Sequence, residues 1–207
     1  MIGVGLLRSL TPTPSQTPAM PDDLPLLDGP AINAVIESAR VRLEPLDGRH
    51  AAPLFEALQE PAIYYWISMR PPADPAQLAA RWTRVAQASL VGVDVLDFGW
   101  AVQRRADGAW IGKLDAEVTA AGVATNVGYL FAPAFWGQGL ASEAVAALSA
   151  HLRRHGVLEQ RATVTVGNAA SCRVLERAGF VHERVIPGND TVRGVLVDDH
   201  EYVRRTI

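Results

Sequence analysis

Two glycines, Gly137 and Gly139, stand between an apolar run, Val127 to Phe131, and residues recurring at helical spacing: Leu140, Ala144, Ala147, Leu148 and Leu152. A strand, a glycine turn and then a helix leave the first N–H groups of that helix without intrahelical partners. The helix dipole adds partial positive charge there, so backbone alone can cradle a phosphate. The glycines permit positive φ and let an anion approach where a Cβ would block it. Trp136, Gly137, Gln138, Gly139, Leu140, Ala141 and Ser142 are therefore the candidate anion-binding residues. A nucleotide P-loop needs Lys then Ser or Thr after its last glycine, and Leu140 and Ala141 stand there instead. A dinucleotide fingerprint is poorly matched too: Ser142 replaces its third glycine, and the next strand, about residues 161–166, ends in Gly167-Asn168 without an acid.

A third pattern fits better. Gly139 and Ala141 match the last two positions of the Q/R-x-x-G-x-G/A turn of the GNAT (Gcn5-related) N-acetyltransferases, with Trp136 in place of the usual Gln or Arg. Phe135-Trp136-Gly137-Gln138-Gly139-Leu140-Ala141-Ser142-Glu143-Ala144 resembles the Tyr-Trp-Gly-Lys-Gly-Tyr-Ala-Thr-Glu-Ala motif of the RimJ/RimL-like branch, the ribosomal-protein N-terminal acetyltransferases. Downstream, Asn168-Ala169-Ala170-Ser171 followed by Val174-Leu175-Glu176-Arg177-Ala178-Gly179-Phe180 resembles that branch's Asn-x-x-Ser-x-x-Val-Leu-Glu-Lys-x-Gly-Phe segment. Read physically, it is an N-cap at Asn168 and a short helix closed by Gly179. Asp199-His200-Glu201-Tyr202 resembles the closing Asp-His-x-x-Tyr strand, offset by one at the tyrosine.

The resemblance implies acetyl-CoA as co-substrate, no metal, and a primary amine as acceptor. It implies the GNAT acyl-CoA N-acyltransferase fold, an α+β or α/β arrangement. A mixed, mostly antiparallel sheet of about seven strands is flanked by helices, and strands 4 and 5 splay apart. The pantetheine arm of the coenzyme then pairs with backbone at Leu130 and Phe131, where a main-chain N–H is the oxyanion donor. Asn168 bonds the pantetheine amides, and Ser171 donates a hydrogen bond to the leaving sulfur. The tyrosine that many of these enzymes place four residues after Ser171 is replaced by Leu175. The glutamate often found two residues before the Gly-Tyr pair is replaced by Asn126. Asp115 and Glu117 share one face of the neighbouring strand, and either can hold a water that relays the amine proton. Tyr64, Tyr65, Trp66 and Arg70 fall in the region that shapes the acceptor pocket in this family.

An α-amine, with an ordinary pKa near ~8, is partly neutral at pH 7, whereas a lysine side chain near ~10.4 needs a stronger base. A protein N-terminal α-amine is the expected acceptor. A small-molecule amine (amino acid, polyamine or aminoglycoside) is the alternative, and a non-catalytic acyl-CoA-binding module of the same fold is the second. Cys172 beside Ser171 would support a ping-pong route only with an activating histidine, and none adjoins it in sequence.

The elements that position these groups follow from hydrophobic period. Val41, Leu43 and Leu46 belong to a half-buried opening strand, and Asp47 caps a helix through about residue 60. A loop to Asp74 carries the aromatics, and a second helix runs to about Ser89 with Leu78, Trp82 and Val85 inward. Strands at about 98–104 and 110–118 flank an Asp107-Gly108 turn. The strand 126–131 leads to the glycine turn, and strands near 161–166, 182–186 and 192–203 complete the pattern. Residues 1–36 read as a Pro-rich flexible extension, with 31–38 as a helical turn or added strand at its end. Residues 37–207 read as the acetyltransferase domain.

The 207 residues, 49% apolar and 20% charged, suit one globular domain. A net charge of -3 gives no reason to expect nucleic acid or an anionic membrane surface as partner. No apolar run reaches the length of a membrane span, and Met1 to Leu7 is too short for a signal-peptide core. One cysteine precludes an intrachain disulfide and fits a reducing cytoplasm. Dimers are common in the resembled family, so a homodimer stays open.

Overall fold

A computed structural model of the chain describes residues 2–3, 27–88 and 95–205. The strands are β1 (Ile2–Gly3), β2 (Ile36–Glu37), β3 (Val41–Pro45), β4 (Val95–Arg104), β5 (Trp110–Thr119), β6 (Val123–Phe131), β7 (Glu159–Thr165), β8 (Val181–Val192) and β9 (Val195–Arg205). The helices are α1 (Gly29–Ile32), α2 (Ala51–Phe55), α3 (Pro75–Ala88), α4 (Leu140–Arg154) and α5 (Ala169–Arg177). One sheet runs β2-β3-β4-β5-β6-β7-β9-β8, and β1 adds to β6 off this path. The eight strands of the path match the expected sheet of about seven, Ile36–Glu37 forming the short added strand β2.

Every pairing is antiparallel except β6 with β7. That parallel ladder holds only Val123↔Glu159 and Ala124↔Gln160, although β6 continues to Phe131 and β7 to Thr165. Strands 4 and 5 of the resembled fold therefore do part, and the edge of β6 beyond Ala124 is left to other partners. β1 takes part of it, with Ile2 opposite Leu130 and Gly3 opposite Tyr129.

The two sheet faces bury separate clusters. One gathers Trp100, Leu114, Ala116, Tyr129 and Phe131 with Leu140, Ala144, Leu148 and Leu152 of α4 and Val174 and Leu175 of α5. The other holds Leu46, Ala101 and Leu130 beneath Leu54, Leu58, Ile63, Leu78 and Trp82 from the α2–α3 side. α4 shows why the glycine turn is followed by a helix: its apolar stripe is fully covered, Glu143 lies in its first turn, and His151, Arg153 and Arg154 lie in its last, complementing the dipole.

The expected helix from Asp47 to residue 60 is broken into 3₁₀ turns at Gly48–His50 and Glu56–Gln59 around the five-residue α2. Pro53 has no N–H to continue a regular ladder. The 61–74 segment, expected as loop, opens with a 3₁₀ turn at Pro61–Tyr65. α3 is capped by the Asp74 carboxylate, which accepts from the N–H groups of Ala76 (2.6 Å) and Gln77 (3.1 Å); Ser89, its expected end, lies outside the described residues. β4 begins at Val95, earlier than residue 98, and β8 is one bulged strand from 181 to 192.

Most of the Pro-rich extension also lies outside the described residues, but residues 27–36 are packed against the domain. Ile32 is wholly buried, the Trp100 indole N–H donates to the Ala34 carbonyl (3.1 Å), and His151 Nε2 meets the Ile32 carbonyl at 2.8 Å. The packed unit thus begins before residue 37. Among the described residues no helix is long and apolar enough to cross a membrane.

Candidate active site

The glycine turn is built as an anion cradle. Gly137 and Gly139 both have φ of 75°, and a Cβ at Gly137 would meet nothing within 4 Å. Gly139 is the N-cap of α4 and has no side chain to spend on the helix end. The first intrahelical bond runs from the Glu143 N–H to the Gly139 carbonyl (3.1 Å), so the N–H groups of Leu140, Ala141 and Ser142 precede the ladder. The side chains of Leu140 and Ala141 are buried in the core and leave the turn to its backbone. Trp136 does not point at an anion: its indole N–H donates to the Phe131 carbonyl (2.7 Å) and ties the turn to the end of β6. The Gln138 side chain likewise folds onto the Ala134 carbonyl (3.1 Å).

Beside this cradle, α5 starts at Asn168, whose side-chain oxygen accepts from the Ser171 N–H (3.2 Å). Asn168 is 2% exposed and Ser171 fully buried. The hydroxyls of Ser171 and Tyr129 lie 2.5 Å apart, and the Tyr129 O–H also reaches the Ser171 carbonyl (3.2 Å). Burial pushes the Tyr129 phenol far up, its bond to Ser171 offsetting only part, so it keeps its proton and acts as a donor. Tyr129 was missed in the sequence because nothing in one strand reveals which helix residue its hydroxyl will face. Cys172 is half-buried, and the Tyr202 hydroxyl lies against it while donating to Glu176 (3.1 Å). Burial, then Cys172 and Glu176, push that phenol up as well.

On the opposite face of the sheet a cavity of about 320 Å³ opens. Asp115 and Glu117 both line it, as their shared face predicts, together with Leu130, Tyr64 and Arg70. Two further residues join them. Asp97 on β4 pairs directly across from Glu117, and Asn126 on β6 pairs across from it on the other side. Burial raises the Glu117 carboxyl above the ordinary carboxylate range, and the charges of Asp97 and Asp115 raise it further. Asp97 rises for the same reasons, burial first and Asp115 second. The Lys113 ammonium pairs with Asp115. Leu46, Leu58, Leu78 and Trp82 give the rest of the wall its apolar character. The Tyr64 hydroxyl is not free for a ligand: it donates to the Leu58 carbonyl (2.7 Å), and burial pushes its pKa to about 12.

Tyr65 and Trp66 part company with Tyr64 and Arg70. Neither lines that cavity. Tyr65 is exposed beneath the Arg193 guanidinium, 4.0 Å above its ring. Trp66 bridges to β7: its carbonyl accepts from the Thr165 hydroxyl (3.0 Å), and its ring packs on Gly167. Next to Thr165, opposite it in the ladder, Asp199 is 3% exposed. Asp199 Oδ2 accepts from Asn189 (2.7 Å), whereas Oδ1 has no donor among the described residues, the Thr165 proton being committed to Trp66. Burial raises the Asp199 carboxyl, and the bond from Asn189 offsets part of the rise.

Residues 40–181, more than half of the chain, match the acetyltransferase (GNAT) domain. The chain belongs to the GNAT acetyltransferase family. No curated protein sequence matches it significantly. Solved structures share the fold. A probable acetyltransferase of the GNAT family from Chromobacterium violaceum superposes with a TM-score of 0.73 at 24% identity, over 94% of this chain and 97% of its own. The Salmonella typhimurium acetyltransferase that modifies the N-terminal serine of ribosomal protein L7/L12 gives 0.72 at 20%, over 84% and 99%. Mycobacterium smegmatis RimJ in complex with CoA-disulfide gives 0.71 at 23%, over 84% and 88%. The GNAT chain is thus an N-acetyltransferase by family, with acetyl-CoA as the family's acyl donor. The family match sets the chain apart from the nucleotide and dinucleotide phosphate-binding folds. Among the described residues no group of His, Cys, Asp and Glu could hold a metal ion.

Proposed function

We propose that this enzyme transfers the acetyl group of acetyl-CoA directly to a primary amine held in the carboxylate-lined cavity, and that the acceptor is a protein N-terminal α-amine of the ribosomal-protein type. The observation that carries the reaction is the meeting at β6 of three things: the open edge beyond Ala124, the glycine cradle at its end, and the cavity holding Glu117 opposite Asn126. The likeness to the Salmonella typhimurium enzyme that modifies the N-terminal serine of ribosomal protein L7/L12 supports the acceptor class.

Acetyl-CoA supplies an activated thioester. The N–H groups of Leu140, Ala141 and Ser142 suit its diphosphate, where the open space at Gly137 admits an anion. The β6 edge at Leu130 and Phe131 suits its amide-bearing arm, as an added strand would be held, with the Phe131 carbonyl already taken by the Trp136 indole. β1 now pairs at Tyr129 and Leu130, so an arm bound there takes the place of β1.

Glu117 is the base. Asn126, which cannot take a proton, stands where related enzymes carry a glutamate, and Glu117 offers a carboxylate directly across the ladder. Burial and like charge raise its affinity for a proton, which brings it closer to the amine it must relieve. The proton leaves the ammonium for Glu117, directly or through a water; the neutral nitrogen then attacks the carbonyl carbon. A β6 main-chain N–H stabilises the oxyanion. As the C–S bond breaks, the Ser171 hydroxyl hydrogen-bonds the departing thiolate, with the Tyr129 O–H behind it. The second proton of the attacking nitrogen passes through solvent to that thiolate, so the coenzyme leaves as a thiol and the nitrogen as an amide. A thiol with a pKa near ~8.5 leaves without a strong acid.

Thiol release from acetyl-CoA tests this reading across peptides with free N-termini, lysine-only peptides with blocked N-termini, and small amines. Turnover with free peptide N-termini is expected. Turnover confined to small amines would overturn the ribosomal-protein acceptor, and saturable coenzyme binding with no turnover for any amine would overturn catalysis.

A further inference from the structure

The first turn of α4 contains an acid, Glu143, which is unfavourable beside a diphosphate even though it suits the helix dipole. The fold deals with it through a residue from far away in sequence. Glu143 Oε1 accepts from the Ser38 hydroxyl (2.7 Å) and from the Arg40 backbone N–H (2.7 Å). Its Oε2 accepts from Arg40 Nε at 2.6 Å. The same guanidinium donates through Nη1 to the Gln138 carbonyl (2.9 Å), inside the glycine turn. Its Nη2 lies 3.5 Å from where a Cβ on Gly139 would sit, and no protein acceptor bonds it among the described residues. Burial alone would raise the Glu143 carboxyl, but the bonds from Ser38 and Arg40 outweigh it and hold the group ionised.

Arg40 is held in turn. Its carbonyl accepts from the Arg105 N–H (2.9 Å), and Arg105 Nη1 donates to the Ser38 carbonyl (2.6 Å), so the β4–β5 hairpin braces residues 38–40 against the turn. Arg104 stacks over the Phe135 ring at 4.7 Å, at the entry to that turn, with its charge committed to Asp107.

We propose that Arg40 is the positioning residue for the coenzyme diphosphate. Its guanidinium cancels the Glu143 charge, pins the Gln138 carbonyl away from the cradle so that the turn presents only N–H groups, and leaves Nη2 facing the turn as a further donor. The proposal rests on the acetyl-CoA reading above. It assigns to a strand residue a task that the glycine motif does not contain.

The test uses two acyl donors that differ in the diphosphate: acetyl-CoA and S-acetylpantetheine, which has none. Arg40→Met keeps the stem and removes the charge. Its KM for acetyl-CoA is expected to rise roughly fivefold to tenfold, with kcat little changed and KM for S-acetylpantetheine unchanged, and the penalty is expected to shrink as salt is raised. Adding Glu143→Gln to Arg40→Met is expected to recover most of the loss, because the uncompensated acid is then gone. Should Arg40→Met fail to fold, Arg40→Lys and Glu143→Gln alone carry the test: the lysine variant, unable to fork to both partners, raises KM for acetyl-CoA only, and the glutamine variant lowers it or leaves it level. An equal penalty with both donors would make Arg40 a mere structural brace and overturn the proposal, as would no penalty with either. A wild-type enzyme inactive with acetyl-CoA would instead sink the underlying reading.

Discussion

Replacing Ser171 by alanine isolates the chemistry assigned to the leaving sulfur. The side chain is fully buried, and among the described residues its hydroxyl has one partner, the Tyr129 hydroxyl at 2.5 Å. In the alanine variant that phenol still has the carbonyl of residue 171, at 3.2 Å in the native protein, so no buried donor is stranded. The stability cost is therefore that of one ordinary hydrogen bond, about 1 kcal/mol, which lowers Tm by roughly 2–4 °C in a chain of this size. The kinetic cost is larger. A hydrogen bond to a charged group contributes about 1.5–3 kcal/mol, and each 1.4 kcal/mol is about tenfold in rate. Turnover is thus expected to drop roughly tenfold to hundredfold while KM for acetyl-CoA stays level. Tyr129→Phe reverses the balance. It leaves the serine hydroxyl without a partner in a dry site, costing about 1–3 kcal/mol of stability, and lowers turnover less than Ser171→Ala because the serine still faces the sulfur. Steady-state thiol release and thermal melts of the two variants read both quantities. A folded Ser171→Ala enzyme with native turnover would refute the reasoning and leave Ser171 as a buried residue of the α5 cap and nothing more.

Other expectations follow from the same geometry. Glu117→Gln removes the group whose deprotonation opens the acid limb of the kcat/KM profile. The wild-type limb should lie above the ordinary carboxylate range, since burial and Asp97 raise that pKa, and the variant should lose it together with roughly 10²-fold in rate. Gly3→Pro takes an N–H from the segment paired with Tyr129 and Leu130; if the coenzyme arm displaces β1, KM for acetyl-CoA should fall, and an unchanged KM would show that the two do not compete. Asp199 binds a proton more tightly folded than unfolded, so its contribution to stability is full below the unfolded pKa near ~3.9 and is lost as pH rises through the higher folded value. Asp199→Asn should therefore melt higher than wild type near neutral pH, with the gain shrinking toward acid, and melts over a pH series would expose the opposite sign.

Much of the site is legible in the sequence because it is written in backbone rules. Gly137 and Gly139 before an apolar repeat announce a turn with positive φ opening a helix, and both residues have it. Period-two alternation put Asp115 and Glu117 on one face, and both line one cavity. Local chemistry also fixed Asn168 as the cap of α5. These are short-range consequences of φ, ψ and hydrogen-bond count, so neighbours in sequence suffice to read them.

What neighbours in sequence could not supply is everything that depends on register and on contacts made at long range. Asp97 joins Glu117 only because β4 and β5 align those two residues, and a shift of one position would send either to the other face. Tyr129 meets Ser171, and Arg40 meets Glu143, across 42 and 103 residues of chain. Tyr64 and Trp66, two residues apart, end up at different places because a 3₁₀ turn and the pull of Thr165 separate them. Side-chain type and spacing determined which chemistry the chain could hold. Strand pairing decided which groups share a site, because a carboxylate's proton affinity and a hydroxyl's partner are set by what the fold packs around them.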